Sequence, residues 1–221
     1  MKRTKWSSKR TKGFSLQVSK IVLMVCCGKK TEPLYFGKAL ENISNAFFEK
    51  SKGQTTIKYK VEIEACDPLN MAKSVTAILE SSKTKYDEIW VVFDKDDFEK
   101  DNFDNAIHSI LSMNKKNKPA RYIPLWSNQC IELWFLLHFE YLHSALHRND
   151  YFPKLAKYIH KEYKKNDSEL FDVLLDNGGK IDVAMKNAYK LLKNSEGSSY
   201  SEKCPATNVV EFFEEYKDYL E

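Results

Sequence analysis

Lys20-Ile21-Val22-Leu23-Met24-Val25-Cys26-Cys27 is a continuous apolar run behind one lysine, rich in branched side chains, and it stops at Gly28-Lys29-Lys30-Thr31. A strand apolar at every position has no face to spare for water, which is the pattern of a central strand in a parallel sheet covered on both sides. A second run of this kind, Glu88–Phe93 (EIWVVF), ends directly in Asp94-Lys95-Asp96-Asp97. Between them, Thr31 is the expected N-cap and Pro33 suits the first turn of a helix reaching Lys50. Tyr35, Phe36, Leu40, Ile43, Phe47 and Phe48 supply its apolar period.

Working outward, Thr55–Ala65 (TTIKYKVEIEA) alternates, with Ile57, Tyr59, Val61 and Ile63 on one face and Lys58, Lys60, Glu62 and Glu64 on the other. That predicts a half-covered strand at a sheet edge. Asp67-Pro68 opens a helix to about Lys85, and another spans Phe103–Asn114. A basic turn (Lys115, Lys116, Lys118) leads to a short strand at Arg121–Leu125 and an apolar helix at Gln129–Tyr141. Beyond residue 142 only helical signals remain, at 151–163, 168–176, 181–194 and 208–220. The fold class is therefore α/β, a mostly parallel sheet flanked by helices with a helical C-terminal extension. The chain divides into a basic flexible arm at 1–18, an α/β core at 19–141 and a helical region at 142–221 packed on that core.

Charge is distributed unevenly. The 221 residues carry 35 Lys+Arg and 31 Asp+Glu, yet residues 1–31 hold nine basic side chains and no acid. The remaining 26 basic and 31 acidic side chains give the rest of the chain a net charge of −5. The basic arm, with Trp6, is suited to neutralising phosphates and stacking a base, or serves only as a solubilising tail. Lys115, Lys116, Lys118 and Arg121 form a second basic patch, more often a solvated turn. Five cysteines, odd in number and without C-x-x-C spacing, argue against a disulfide framework and for a reducing, cytoplasmic setting. No apolar run approaches the roughly 20 residues that span a bilayer, so no membrane association is expected.

Ligands of open parallel sheets collect beyond the carboxyl ends of the strands. Two strands end in chemically loaded sequence there: Cys27-Gly28-Lys29-Lys30-Thr31-Glu32 and Asp94-Lys95-Asp96-Asp97. Asp94 and Asp96 with Glu32 are three hard oxygen donors, the set that Mg²⁺ or Mn²⁺ requires. An acidic run after a strand is also an ordinary turn former or helix cap. Glu132 stands in the apolar segment Ile131–Leu137, either as a paired or metal-bound acid or as a solvated first-turn residue favoured by the helix dipole. His138, His143 and His147 lack the surrounding ligands of a zinc site. G-K-K-T lacks the upstream glycine of a nucleotide-binding phosphate loop, and no G-x-S-x-G or Cys/His pairing supports acyl transfer.

These motifs resemble the RloB family, whose domain is related to the TOPRIM fold of topoisomerases, primases and overcoming-lysogenization-defect nucleases. The resemblance rests on Gly28–Phe36 (GKKTEPLYF), Trp90–Asp97 (WVVFDKDD) and Ser127–Phe139 (SNQCIELWFLLHF), and more weakly on Asn187–Leu192 and Pro205–Val209. It implies a TOPRIM-like sheet and a role in bacterial anti-phage defence, such as abortive infection, often beside an ATPase encoded at the same locus. It also implies divalent-metal-dependent cleavage of nucleic acid, DNA or a structured RNA such as tRNA. Carried onto this sequence, Asp94 and Asp96 would be metal ligands and Glu32 the glutamate after the first strand. Glu132 would be a further acid, and Lys29 or Lys30 would face the scissile phosphate. A homo-oligomer is among the expected assemblies. The family usually reads Cys-Glu-Gly where this chain has Cys26-Cys27-Gly28, and Asn-Pro where it has Asn128-Gln129. A thiol is a poor substitute for a carboxylate on Mg²⁺. Either Glu32 supplies the missing oxygen, or the site is degenerate and the protein binds or regulates without cleaving.

Overall fold

The computed structural model describes residues 16–64, 67–114 and 119–220. Five strands form one sheet: β1 (Gln17–Cys26), β2 (Thr55–Ile63), β3 (Glu88–Asp94), β4 (Arg121–Asn128) and β5 (Ala206–Thr207), in the order β2-β1-β3-β4-β5. The first four run parallel, and β5 returns antiparallel to the end of β4. Helices α1 (Thr31–Lys50), α2 (Met71–Ser81), α3 (Lys100–Met113) and α4 (Glu132–Leu137) follow the strands in turn. Helices α5 (Arg148–Tyr158), α6 (Leu170–Asp176), α7 (Ile181–Asn194) and α8 (Val210–Glu215) complete the chain.

The alternation of side chains along β1 explains the layering. Val22, Met24 and Cys26 face a core shared with α1, α4 and the four C-terminal helices, while Leu23 and Val25 face a second core beneath α2 and α3. Both faces are thus dry, as the unbroken apolar run requires. The large core spans residues from Val22 to Tyr216, so the C-terminal helices and the sheet bury one continuous surface.

The structure departs from the sequence reading at several points. β1 begins at Gln17, so residues 17 and 18 belong to the sheet, and residues 1–15 of the expected arm, with Trp6, lie outside the described residues. So do Lys115, Lys116 and Lys118. Thr31 is the first residue of α1 and not its cap. Its hydroxyl donates to Lys165 O at 3.1 Å, a tertiary contact that outcompetes local capping. The second helix stops at Ser81, β4 runs three residues past Leu125 to Asn128, and α4 covers only Glu132–Leu137. The strand β5 interrupts what reads as purely helical sequence.

The β4 edge is sealed by side chains. Asn114 accepts from Tyr122 N at 2.9 Å and donates to Tyr122 O at 2.8 Å. Asn208 accepts from Trp126 N at 2.6 Å and donates to Pro124 O at 2.8 Å. Pro124 itself has no N–H to leave open. Before the two residues that pair with β5, two carboxamides and a proline therefore stand in for a neighbouring strand, and this side of β4 offers little to an intruding chain.

At the amino ends of the strands, Glu88 is only 5% exposed. Lys20 Nζ lies 2.6 Å and Arg121 Nη2 3.0 Å from its Oε1, while Tyr216 Oη (2.5 Å) and Trp90 Nε1 (3.2 Å) donate to Oε2. Glu215 on α8 binds the same two cations at 3.0 and 2.6 Å. Three strands and the last helix are tied by one buried carboxylate. Replacing Glu88 with alanine strands the buried Tyr216 and Trp90 donors, and the expected loss is about 3 kcal/mol in chemical denaturation. A loss under about 0.5 kcal/mol would mean the network contributes nothing to stability.

Candidate functional site

Parallel strands bring their carboxyl ends to one rim, and this rim carries the acids. A cleft of about 320 Å³ opens there, lined by Cys27, Gly28, Glu32, Asp67, Asp94, Asp96 and Phe98. Asp94 is the last residue of β3, opposite Ser127 of β4. Its Oδ2 accepts from Ile131 N at 3.0 Å, while its Oδ1 is buried without a hydrogen-bond partner. An orphaned carboxylate oxygen is costly in apolar surroundings and marks a place where a ligand would relieve the penalty.

Glu32 sits in the first turn of α1 and is 8% exposed. Its carboxylate folds back over the end of β1, so that a Cβ on Gly28 would overlap both carboxylate oxygens. Gly28 is thus the space that lets an acid from the helix occupy the rim beside Cys27. Desolvation pushes the Glu32 carboxyl up, followed by repulsion from Glu132 and Asp96, against the pull of Lys165 and a backbone N–H. Desolvation also raises Asp94 well above the ordinary carboxylate value, with Glu32, Glu132 and Asp96 adding to the effect. Acids crowded at low dielectric behave in this way when desolvation and mutual repulsion outweigh the counter-charge that reaches them.

Asp96 lines the same cleft but faces a cation. It adopts φ 42°, a left-handed conformation that Asp tolerates better than most residues, and its N donates to Gln129 O at 2.9 Å. Arg148, at the start of α5, reaches Asp96 Oδ1 at 3.1 Å and Asp97 Oδ2 at 2.7 Å. Gln129 Oε1 accepts from Arg148 N at 3.1 Å, and the Asn128–Gln129 peptide bond beside it is cis.

Glu132 is 1% exposed, which overturns its reading as a solvated first-turn residue. It does not line the cleft. Tyr163 Oη donates to its Oε1 at 2.8 Å, and Lys165 Nζ stands 3.6 Å from the same atom. Lys29 and Lys30 are exposed at the start of α1, outside the cleft lining. Of the histidines, His138 is buried with Nδ1 3.0 Å from Trp134 O and a pKa lowered by desolvation to about 4. His147 caps α5 and His143 is exposed.

The structure therefore gathers Glu32, Asp94 and Asp96 with Cys27, and sets Glu132 behind them. It adds Arg148, Lys165, Tyr163 and Asp67, which the sequence did not single out. Asp67 was visible as a helix opener, and its Oδ1 does accept from Leu69 N at 2.8 Å. The other three reach the site from segments after residue 140 with no motif around them. The donor chemistry fits a hard divalent cation through Glu32 and Asp94. Asp96 is engaged by Arg148, and among the described residues no three His, Cys, Asp or Glu side chains are gathered to hold a metal. Among the same residues, no helix is long and apolar enough to cross a membrane.

The raised Asp94 carboxyl has a consequence for stability. The native state holds this proton more tightly than the unfolded chain, whose ordinary value is 3.8, so stability falls as pH rises from there through the higher native value. Asp94→Asn removes the buried charge. The variant should melt above the parent at neutral pH in chelator, with the gap closing toward pH 4; equal melting temperatures across that range would contradict the repulsion described.

Comparison with known proteins follows the same residues. No curated protein and no solved structure matches the chain. The RloB-like protein family matches residues 22–215, from within β1 to the end of α8, and includes the rim acids, the Cys27 position and the loop bearing Lys165. On that coverage, the chain belongs to the RloB family.

Proposed function

We propose that the cleft is a divalent-metal site for cleaving nucleic acid. In this reading Glu32 and Asp94 hold Mg²⁺ or Mn²⁺, and the protein serves in anti-phage defence, as the RloB resemblance implies, in company with an ATPase. The observation that carries it is the buried Asp94 Oδ1 without a partner, next to the Glu32 carboxylate that Gly28 admits. A cation bound there would supply Lewis-acid stabilisation of charge on a phosphate oxygen. The chain's own groups do the rest. Lys165 offsets the crowded acids, and Lys29 and Lys30 present positive charge to the phosphates of a strand crossing the rim. Asp96 joins the site as an acceptor when Arg148 turns to a phosphate instead, since a guanidinium pairs with either partner in the same planar geometry. Glu132, fixed by Tyr163, keeps Lys165 aimed at the acids.

A second reading has its own support. Cys27 stands where a carboxylate would be expected, and Arg148 already neutralises Asp96. These features favour a binding or regulatory subunit with a degenerate rim, working with the ATPase.

Two experiments separate the readings. Purified protein incubated with DNA and with total RNA in Mn²⁺ should cleave one of them, and Asp94→Asn should abolish the cleavage. Mn²⁺ should raise the melting temperature of the parent but not of the variant; absence of both effects would leave the degenerate reading. Cys27→Glu would then be expected to introduce or increase cleavage. Gly28→Ala supplies a further check, because its methyl would meet the Glu32 carboxylate first and displace it. It should weaken Mn²⁺ binding about tenfold in calorimetry while leaving the fold intact.

A further inference from the structure

The two edges of the sheet are treated differently. At one, beside the two-residue β5, Asn114, Asn208 and Pro124 seal the outer side of β4, whereas at the other β2 is an edge strand of nine residues. Glu64 N donates to Cys26 O at 2.8 Å, so the even-numbered residues of β2 direct their main-chain groups toward β1 and the odd-numbered ones direct theirs outward. Ser44 takes the outward carbonyl of Ile57. Among the described residues, nothing takes those of Tyr59, Val61 and Ile63. Tyr59 (38%) and Ile63 (51%) also expose large apolar side chains there.

We infer that β2 pairs antiparallel with β2 of a second copy, about a two-fold axis at Val61. The charge pattern selects this register. Centred on Val61, Lys60 lies opposite Glu62 of the second copy and Lys58 opposite Glu64, each pair occurring twice by symmetry. On the other face Tyr59 meets Ile63, bringing the exposed apolar residues together. Shifting the axis to Tyr59 sets Lys58 against Lys60, and shifting it to Ile63 sets Glu62 against Glu64. An axis at Lys60 or Glu62 places that residue against itself. Registers between residues are excluded because outward main-chain groups would meet inward ones. Opposite charges directly across an antiparallel pair stabilise it and like charges oppose it.

In the paired form Val61 bonds to Val61 and Tyr59 to Ile63, so each outward N–H and C=O of these residues gains a partner. The two sheets become one of ten strands. Their rims face opposite directions, because antiparallel strands carry their carboxyl ends apart, so each cleft remains complete within its own chain.

Sedimentation equilibrium at micromolar concentration tests this with the full chain. The parent should sediment at twice its 25.8 kDa chain mass. Lys60→Glu alone and Glu62→Lys alone each put like charges opposite one another twice, and should weaken the dimer about tenfold or more. The double exchange, Lys60→Glu with Glu62→Lys, restores opposite pairs and should restore the dimer. Melting curves of all three variants show whether they fold, since each single reversal also breaks the Lys60–Glu62 ion pair within the strand. A monomeric parent overturns the inference, as does a dimer indifferent to the single reversals. Failure of the folded double variant to recover would overturn the register.

Discussion

Strands β1 and β3 are dry on both faces over residues 22–26 and 88–93, and this one constraint arranges most of the molecule. A side chain that cannot point to water along the length of a strand can be polar only at its ends. Lys20, Glu88 and Arg121 accordingly meet at the amino ends, and Asp94 meets Glu32 at the carboxyl ends. The first group is satisfied: Glu88 has two cations on one oxygen and two hydrogen-bond donors on the other, and it ties α8 to the sheet. The second group is not. Its acids repel one another, and one oxygen of Asp94 has no partner. The same burial that stabilises one end thus crowds mutually repelling acids at the other.

The C-terminal region completes the rim as well as the core. Thr31 at the start of α1 holds the backbone of Lys165, and Tyr163 two residues earlier holds Glu132. Arg148 at the start of α5 holds Asp96 and Asp97. Three groups from beyond residue 140 therefore set the charge around acids that come from the first 132 residues. A truncation that kept only the four parallel strands would lose both the counter-charges and one wall of the larger core.

Much of this was readable without coordinates. The apolar runs read as buried parallel strands because they are short, rich in branched side chains and closed by a glycine or an acidic turn. The alternation in Thr55–Ala65 predicted an edge strand, and the structure puts β2 at one edge of the sheet. The acids after Phe93 and Gly28 had to lie on one rim once both strands were parallel. Glu132 shows where such reasoning stops: a carboxylate in a first turn reads equally as exposed or buried, and Tyr163, 31 residues away, decides it. Strand β5 was invisible because two residues carry no period, and its place depends on the open end of β4.

From the sequence alone came the parallel sheet with helices on both faces and three of the acids that line the rim, Glu32, Asp94 and Asp96, since hydrophobic period is a local property and parallel strands share their polarity. Tertiary structure alone decided which acids face a cation, which oxygen is left unpaired, and which sheet edge is closed. Those outcomes depend on Arg148, Lys165, Asn114 and Asn208 arriving from distant segments, and no local pattern in the chain records a contact that exists only after folding.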